Sequence, residues 1–178
     1  VAVDTRGTEA RGAEFRNSVY QYIGKVETED LLSTGNYLAS LPFVDKDRIG
    51  IYGEGLGGYN AIRCISEGKS IFKAAVAVSP VTEWRYYNAA YTERYMRTPE
   101  GNPEGYKQAS LLENAGKVNA DLLLIHGTAD EDVQLQHTLE YSEQLVQAGK
   151  QFEMQIYTNR DKRFTGGNTR LHFYNRIS

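Results

Sequence analysis

Residues 49–60 read Ile49-Gly50-Ile51-Tyr52-Gly53-Glu54-Gly55-Leu56-Gly57-Gly58-Tyr59-Asn60, an apolar strand pattern that passes into a helix pattern through a glycine-rich turn. Two motifs fit this turn. Gly53, Gly55 and Gly58 satisfy G-x-G-x-x-G, which packs the amino terminus of a helix against a dinucleotide pyrophosphate. The turn also suits a nucleophile elbow, G-x-S-x-G, in which small residues allow a strained strand-to-helix connection. Both motifs belong to α/β folds, so this turn predicts that class.

Short apolar runs recur on either side of the turn, and helical patterns separate them. Most runs are continuous rather than alternating, which is typical of strands buried on both faces of a parallel sheet. The five predicted strands are 1–3, 49–52, 74–78, 122–125 and 152–157. One run of apolar residues at helical spacing follows Thr28-Glu29-Asp30 and stops at Pro42. A second run begins at Leu135 and ends at Gly149. This order predicts a mostly parallel, doubly wound sheet whose ligand site lies in loops at the carboxyl ends of the strands.

The composition bounds the class of protein. The 178 residues suffice for one buried core, so we expect one domain over residues 1–178. With 20 basic and 23 acidic residues the formal net charge is -3, which argues against nucleic-acid binding. The single cysteine, Cys64, excludes an internal disulfide framework and a multi-cysteine zinc site, and we expect no metal. No apolar run approaches the roughly 20 residues that span a bilayer, so we expect no membrane contact by this segment.

The dinucleotide motif lacks its usual context. It requires an acidic residue about 20 positions further on, at the end of the next strand, to hold the ribose hydroxyls. Here that strand ends Val78-Ser79-Pro80. Glu54 would also place a carboxylate in a loop that should hold phosphate. Dinucleotide binding is therefore the weaker interpretation of the turn.

The nucleophile elbow lacks its reactive residue. The nucleophile position falls on Gly55, which carries no oxygen. An α/β-hydrolase triad also requires an acid after a later strand and a histidine after the last one. Asp130 supplies the acid, but residues 158–163 after the last strand hold no histidine. The three histidines of the chain lie elsewhere, and we expect ordinary surface or capping roles for His126, His137 and His172.

Four further segments carry a resemblance to a known family. They are Asp4-Thr5-Arg6-Gly7-Thr8, Leu41-Pro42-Phe43-Val44-Asp45-Lys46-Asp47-Arg48-Ile49-Gly50-Ile51, Tyr91-Thr92-Glu93-Arg94-Tyr95-Met96 and Ile125-His126-Gly127-Thr128-Ala129-Asp130. In order and spacing they resemble the dipeptidyl-peptidase IV branch of the prolyl oligopeptidase family of serine peptidases. Residues 166–170 resemble the bacterial members of that branch. The resemblance covers essentially the whole chain. It implies an α/β-hydrolase catalytic domain that normally follows a β-propeller, removes Xaa-Pro or Xaa-Ala dipeptides from peptide amino termini, and works in the periplasm or outside the cell.

The resemblance implies a catalytic triad of which one member remains. The family serine falls on Gly55, the aspartate on Asp130 and the histidine on Lys162. The oxyanion-hole amide would belong to Leu56, where the family has tyrosine. Asp132 stands where the family has an asparagine that holds the substrate backbone.

The resemblance also implies a retained pocket for a proline side chain. Its walls would be Val81, Trp84, Tyr87, Tyr91 and Val133. The residues alone leave a second interpretation open, because Tyr87, Tyr91 and Tyr95 repeat every four positions. In a helix they would form one stripe of ordinary core packing.

The loss of two triad members predicts a catalytically inactive domain, because nucleophile and base act as one unit. Glu54, one residue before the apex of the turn, and Lys162, in a charged loop, are poor replacements. We therefore expect a pseudo-peptidase that needs no cofactor and acts as a binding or assembly module for a peptide or protein ligand. The alternatives are an active dipeptidyl peptidase that cleaves Xaa-Pro or Xaa-Ala dipeptides and, third, a dinucleotide-binding module.

The start of the chain at Val1, without Met or leader, indicates a piece of a longer protein. We expect an amino-terminally truncated α/β-hydrolase domain that lacks the propeller. In the family, another strand lies between those matching 1–4 and 49–52, so we predict about five strands with these two newly paired, or an exposed groove. The last helix, which the family uses with the propeller for dimerisation, stops at Ser178, so a homodimer is left open.

Overall fold

The computed structural model describes residues 1–67 and 71–178. Among these residues the β-strands are β1 Gly50–Glu54, β2 Ala74–Val78, β3 Asp121–Gly127 and β4 Glu153–Tyr157. The α-helices are α1 Ala13–Asn17, α2 Lys25–Ala39, α3 Leu56–Glu67, α4 Ala89–Met96, α5 Pro103–Ala109, α6 Gln136–Gln147 and α7 Thr169–Ile177. A 3-10 helix spans Leu112–Lys117.

All the strand pairs described are parallel, and the strands follow one another across the sheet in chain order, β1-β2-β3-β4. Helix α3 follows β1 and helix α6 follows β3, and each returns the chain to the end of the sheet at which the strands begin. The predicted α/β class with a parallel sheet is confirmed. All carboxyl ends of the strands therefore meet at one edge.

Alternate residues of the central strands enter two separate cores. Ala75 and Ala77 of β2 belong to the larger core, which lies against α3 and α6, and Val78 belongs to the smaller one. The smaller core is closed by Phe164 and by Phe173 of α7, whose rings stack at 4.8 Å between centroids. Burial on both faces explains why these strands are continuous apolar runs in the sequence.

The prediction of a strand at residues 1–3 is wrong, and the described sheet has four strands rather than five. Val1 is 99% exposed, and none of the described strands pairs with residues 1–3 to supply ladder hydrogen bonds. The amino-terminal segment is fixed against α2 instead. The backbone N–H of Arg6 donates to Asp30 at 2.8 Å, and its guanidinium donates to both Asp30 oxygens.

Two helix boundaries differ from the sequence prediction. Helix α2 begins at Lys25 rather than behind Thr28, because the Glu27 carboxylate turns back and accepts the Gly24 N–H at 3.0 Å. Helix α4 begins only at Ala89, so Tyr87 lies outside it and the three tyrosines do not form one helical stripe. The end of α6 is as predicted: Gly149 has a φ of 68°, and the Lys150 N–H donates to Leu145 O at 2.9 Å.

Candidate functional site

Loops after all four strands converge at the carboxyl edge of the sheet. They bring Gly55 after β1, Ser79 after β2, Asp130 after β3 and Lys162 after β4 to the walls of one cavity of about 230 Å³. Glu54, Tyr87, Asp132 and Val133 line the same cavity. The structure therefore brings together the three residues predicted at the triad positions, which lie far apart in the sequence.

Gly55 forms the apex of the strand-to-helix turn with a φ of 55°. Its N–H donates to Val78 O at 2.9 Å, which ties the turn to the end of β2. A Cβ added at Gly55 would meet no atom within 4 Å, so the position has room for a side chain. The turn has the backbone of a nucleophile elbow, but this residue offers no nucleophilic oxygen.

Asp130 is held rigidly by its own loop. Its Oδ1 accepts the backbone N–H groups of Asp132 at 3.0 Å and Val133 at 3.1 Å. Its Oδ2 is buried and has no hydrogen-bond partner among the described residues. The loop is joined to the one after β4, where the Ala129 N–H donates to Arg160 O at 3.0 Å. The bonds to Oδ1 thus fix the carboxylate in place, while Oδ2 makes no hydrogen bond to a described residue.

Lys162 forms an ion pair with Asp132, and 57% of its side chain is exposed. The hydrogen bond to Asp132 raises the pKa of the Lys162 ammonium above its usual range. The amine therefore stays protonated near neutral pH and has no lone pair with which to accept a proton. The Glu54 carboxylate also has a partner, because it accepts a hydrogen bond from the Tyr52 hydroxyl.

The expected surface or capping role of the histidines is wrong for His126 and His137, whose exposed fractions are both 0%. Their rings pack where β3, α6 and the loop after β2 meet, and buried groups there need internal partners. His126 Nε2 donates to Val133 O at 2.8 Å, and its Nδ1 lies 2.7 Å from the Thr138 hydroxyl. Burial lowers the pKa of His126, so the ring is neutral and structural.

His137 joins α6 to the loop after β2. Its Nδ1 accepts the Thr82 N–H at 3.1 Å, and its backbone carbonyl accepts the Thr82 hydroxyl at 2.7 Å. Burial and the nearby His126 ring lower the pKa of His137 to about 4. Only a neutral imidazole can accept at Nδ1, so this geometry also requires the uncharged ring.

The residues predicted to line a proline pocket fall into three places. Val81 and Trp84 are buried in the larger core, with exposed fractions of 2% and 1%. Tyr87 and Val133 face the cavity at the carboxyl edge. Leu56 and Tyr91 line a second cavity of about 90 Å³.

The aromatic rings form a continuous cluster between the two cavities. Trp84 stacks on Tyr91 at 6.1 Å and meets Tyr87 edge-on at 5.9 Å, measured between ring centroids. Tyr91 and Tyr95 are in turn 4.9 Å apart. The cluster therefore supports the core and supplies the wall of both cavities.

Ser79 was missed as a site residue in the sequence. It is 4% exposed, has a positive φ of 43°, and its hydroxyl has no partner among the described residues. Its backbone N–H donates to Ile125 O at 2.8 Å, which fixes the residue between β2 and β3. The available signal was its place directly after β2, where ligand-binding residues of parallel sheets are expected.

Residues 1–67 and 71–178 contain no group of three or more His, Cys, Asp or Glu side chains arranged to hold a metal ion. In the same part of the chain, no helix is long and apolar enough to cross a membrane. The carboxylates of Glu54, Asp130 and Asp132 make the cavity at the carboxyl edge acidic, which is unfavourable for a phosphate group.

Comparison with known proteins gives consistent matches along the whole chain. The model of the prolyl oligopeptidase family matches residues 1–178. Dipeptidyl peptidase 4 of the cat, Felis catus, is 36% identical over an alignment of 178 positions that covers 98% of this chain and 23% of that protein. Mouse prolyl endopeptidase FAP is 35% identical over an alignment of 179 positions that covers 99% of this chain and 24% of that protein.

A solved structure matches equally well. The crystal structure of Porphyromonas gingivalis dipeptidyl peptidase 4 superposes with a TM-score of 0.95 at 44% sequence identity, covering 98% of this chain and 25% of that one. The chain thus spans about a quarter of the length of these relatives.

Proposed function

Because the chain belongs to the prolyl oligopeptidase family of serine peptidases, we propose that it is a dipeptidyl-peptidase-IV-like domain without hydrolytic activity of its own. The family resemblance and the α/β-hydrolase fold predicted from the sequence are confirmed. The proposal concerns this chain only. In it the fold serves as a binding or assembly module for a peptide or protein ligand.

One observation carries the proposal: the carboxylate of the predicted triad is in place, but the groups it should serve are absent. Gly55 has no oxygen to attack a carbonyl, and Lys162 is a protonated cation bound to Asp132. Loss of either nucleophile or base costs on the order of 10⁶ in turnover in a serine peptidase, and loss of both costs little more. The backbone amide after the turn, from Leu56, cannot compensate, since oxyanion stabilisation and binding alone supply roughly 10³ to 10⁴ over water.

The competing function is an active dipeptidyl peptidase that releases Xaa-Pro or Xaa-Ala dipeptides. It would need a nucleophile and a base other than Gly55 and Lys162. Ser79 provides a buried hydroxyl in the same cavity, but no described residue makes a hydrogen bond to that hydroxyl, so no base is in place to activate it. We therefore favour the inactive module, and we propose, as the family resemblance implies, that it works in the periplasm or outside the cell.

Two assays on the purified chain test the proposal. A Gly-Pro chromogenic substrate measures turnover, and a fluorophosphonate probe measures covalent labelling of an activated serine. We expect neither signal from the unaltered chain. Turnover that disappears in Asp130→Ala, or probe attachment at residues 53–58, would refute the proposal.

Restored variants supply the matched controls. Gly55→Ser has room for its hydroxyl, and Lys162→His puts an imidazole on the loop beside Asp130. We expect fluorophosphonate labelling only in the double variant, because either change alone leaves the pair incomplete. Labelling of Gly55→Ser alone would mean that another group in the cavity acts as the base.

A further inference from the structure

Two buried polar atoms in the carboxyl-edge cavity have no partner in the part of the chain that the structure describes. They are Oδ2 of Asp130, whose side chain is 1% exposed, and the hydroxyl of Ser79, which is 4% exposed. Both residues line the cavity of about 230 Å³. Buried polar groups are nearly always hydrogen-bonded, and an unpaired buried carboxylate is among the least favourable cases.

The neighbouring groups do not neutralise Asp130. The nearest histidine atom, His126 Nε2, is 3.8 Å from Oδ2, and its proton is already donated to Val133 O. Lys162, the one cation among the described residues that line the cavity, is paired with Asp132. Glu54 adds a second carboxylate to the wall, which accepts a hydrogen bond from the Tyr52 hydroxyl but forms no ion pair with a described residue. The cavity therefore carries an excess of negative charge around a fixed, buried acceptor.

We propose that this cavity binds the ammonium or guanidinium group of an organic cation, with Asp130 Oδ2 as the charged acceptor and the Ser79 hydroxyl as a second acceptor. Such groups donate two or more hydrogen bonds and form the strongest of them with carboxylates. Tyr87 completes the wall with an aromatic ring that can pack against the cation. The inference deepens the proposed binding function and rests on it, because in an active triad the Asp130 carboxylate would accept a hydrogen bond from the catalytic histidine.

The arrangement favours an organic cation over a metal ion. A metal site needs several donor side chains converging at about 2–2.6 Å from one point. No such group of carboxylates, histidines or cysteines occurs in residues 1–67 and 71–178. A cavity of about 230 Å³ also has space for carbon atoms beside the charged group.

Lys162 should act as a competitor within the site. Its ammonium keeps Asp132 neutralised and adds positive charge to the same wall, which repels an incoming cation. Replacement by an uncharged residue would remove the repulsion and free the Asp132 carboxylate. The structure thus predicts that loss of this lysine strengthens binding.

The test is titration of the chain with n-butylammonium chloride at constant ionic strength, followed by backbone amide NMR shifts. Sodium butyrate is the matched anion control. We expect millimolar binding of butylammonium with shifts at Gly55, Ser79 and residues 130–133, and none with butyrate. Asp130→Asn keeps the Oδ1 acceptor and should weaken binding about tenfold or more, as expected when a charged acceptor is lost.

Three further variants sharpen the result. Ser79→Ala should weaken binding about threefold through loss of a neutral hydrogen bond. Lys162→Met should strengthen it a few-fold. Lys46→Ala, which removes an exposed cation before the amino end of β1, should leave it unchanged. Absence of butylammonium binding, or binding that Asp130→Asn leaves intact, overturns the inference. The proposed lack of hydrolysis is tested separately by turnover and fluorophosphonate labelling, so either proposal can fail alone.

Discussion

Gly53 is the position at which a single methyl group should do the most damage to the elbow. A Cβ added there would overlap the carbonyl carbon and oxygen of Gly57 and lie 2.8 Å from its Cα. These are backbone atoms of the first turn of α3, so no side-chain rotation can relieve the overlap. Gly53→Ala therefore requires β1 and α3 to move apart, or the turn between them to open.

The cost follows from what holds the two elements together. Gly53 pairs with Ala77 in the sheet, and Tyr59 and Ile62 of α3 are completely buried. A shift of about 1 Å disturbs packing that is normally tight, and overpacking of this kind costs roughly 1–3 kcal/mol or more. We expect Gly53→Ala to lower the free energy of unfolding by about 3 kcal/mol, or the melting temperature by roughly 6–12 °C.

Gly57→Ala is the matched control in the same turn. A Cβ at Gly57 would meet no atom within 4 Å, and alanine is the better helix former by up to about 1 kcal/mol. Its melting temperature should equal or exceed that of the unaltered chain. Circular dichroism during thermal unfolding and in urea measures both variants. Equal stability of Gly53→Ala and Gly57→Ala would show that the β1–α3 contact is not close-packed.

Two other predictions concern stability. The pKa of His137 is about 4 in the folded chain and about 6.5 in the unfolded chain. Between these two pH values the unfolded chain binds more protons than the folded chain. The free energy of unfolding should therefore fall by up to about 3 kcal/mol as the pH drops from about 6.5 to about 4. Urea unfolding should show less of this loss in His137→Gln, and an identical pH profile would contradict the buried neutral ring. Burial opposes ionisation of Asp30, but the hydrogen bonds from Arg6 hold its pKa below the usual range, so Asp30→Asn should cost about 1 kcal/mol near neutral pH. Glu29→Gln, at the exposed side of the same guanidinium, should change stability little, and equal losses would refute a specific role for Asp30.

The sheet could be predicted because its strands have no polar face. Residues 74–78 are entirely apolar, and the structure uses alternate members in two different cores. The same pattern failed at residues 1–3, since an apolar triplet becomes a strand only where a neighbour supplies ladder hydrogen bonds. Sequence alone does not reveal that Arg6 instead ties this segment to a helix 24 positions away.

The location of the site was also predictable, but its electrostatics were not. Parallel strands in chain order force the loops after β1, β3 and β4 to one edge, so Gly55, Asp130 and Lys162 were expected to be neighbours. The pairing of Lys162 with Asp132 rather than Asp130 depends on the relative placement of two loops, because Lys162 and Asp132 are 30 positions apart in the sequence. Burial of His137 likewise depends on Thr82, 55 positions away, and nothing local in the sequence indicates it.

Two departures from the family pattern compensate each other in charge. The resemblance assigns Asp132 to an asparagine position and Lys162 to the histidine position, and the structure pairs these two residues. A lysine without Asp132 would have Asp130 as its nearest buried counter-ion, and an aspartate without Lys162 would add to the negative charge of the cavity. With both present, their charges cancel, and Asp130 remains as a buried carboxylate of the cavity whose Oδ2 has no hydrogen-bond partner among the described residues. The proposed cation binding therefore needs no ligand residue beyond Asp130 and Ser79, because Asp132 pairs with Lys162 and leaves Asp130 Oδ2 without a partner among the described residues.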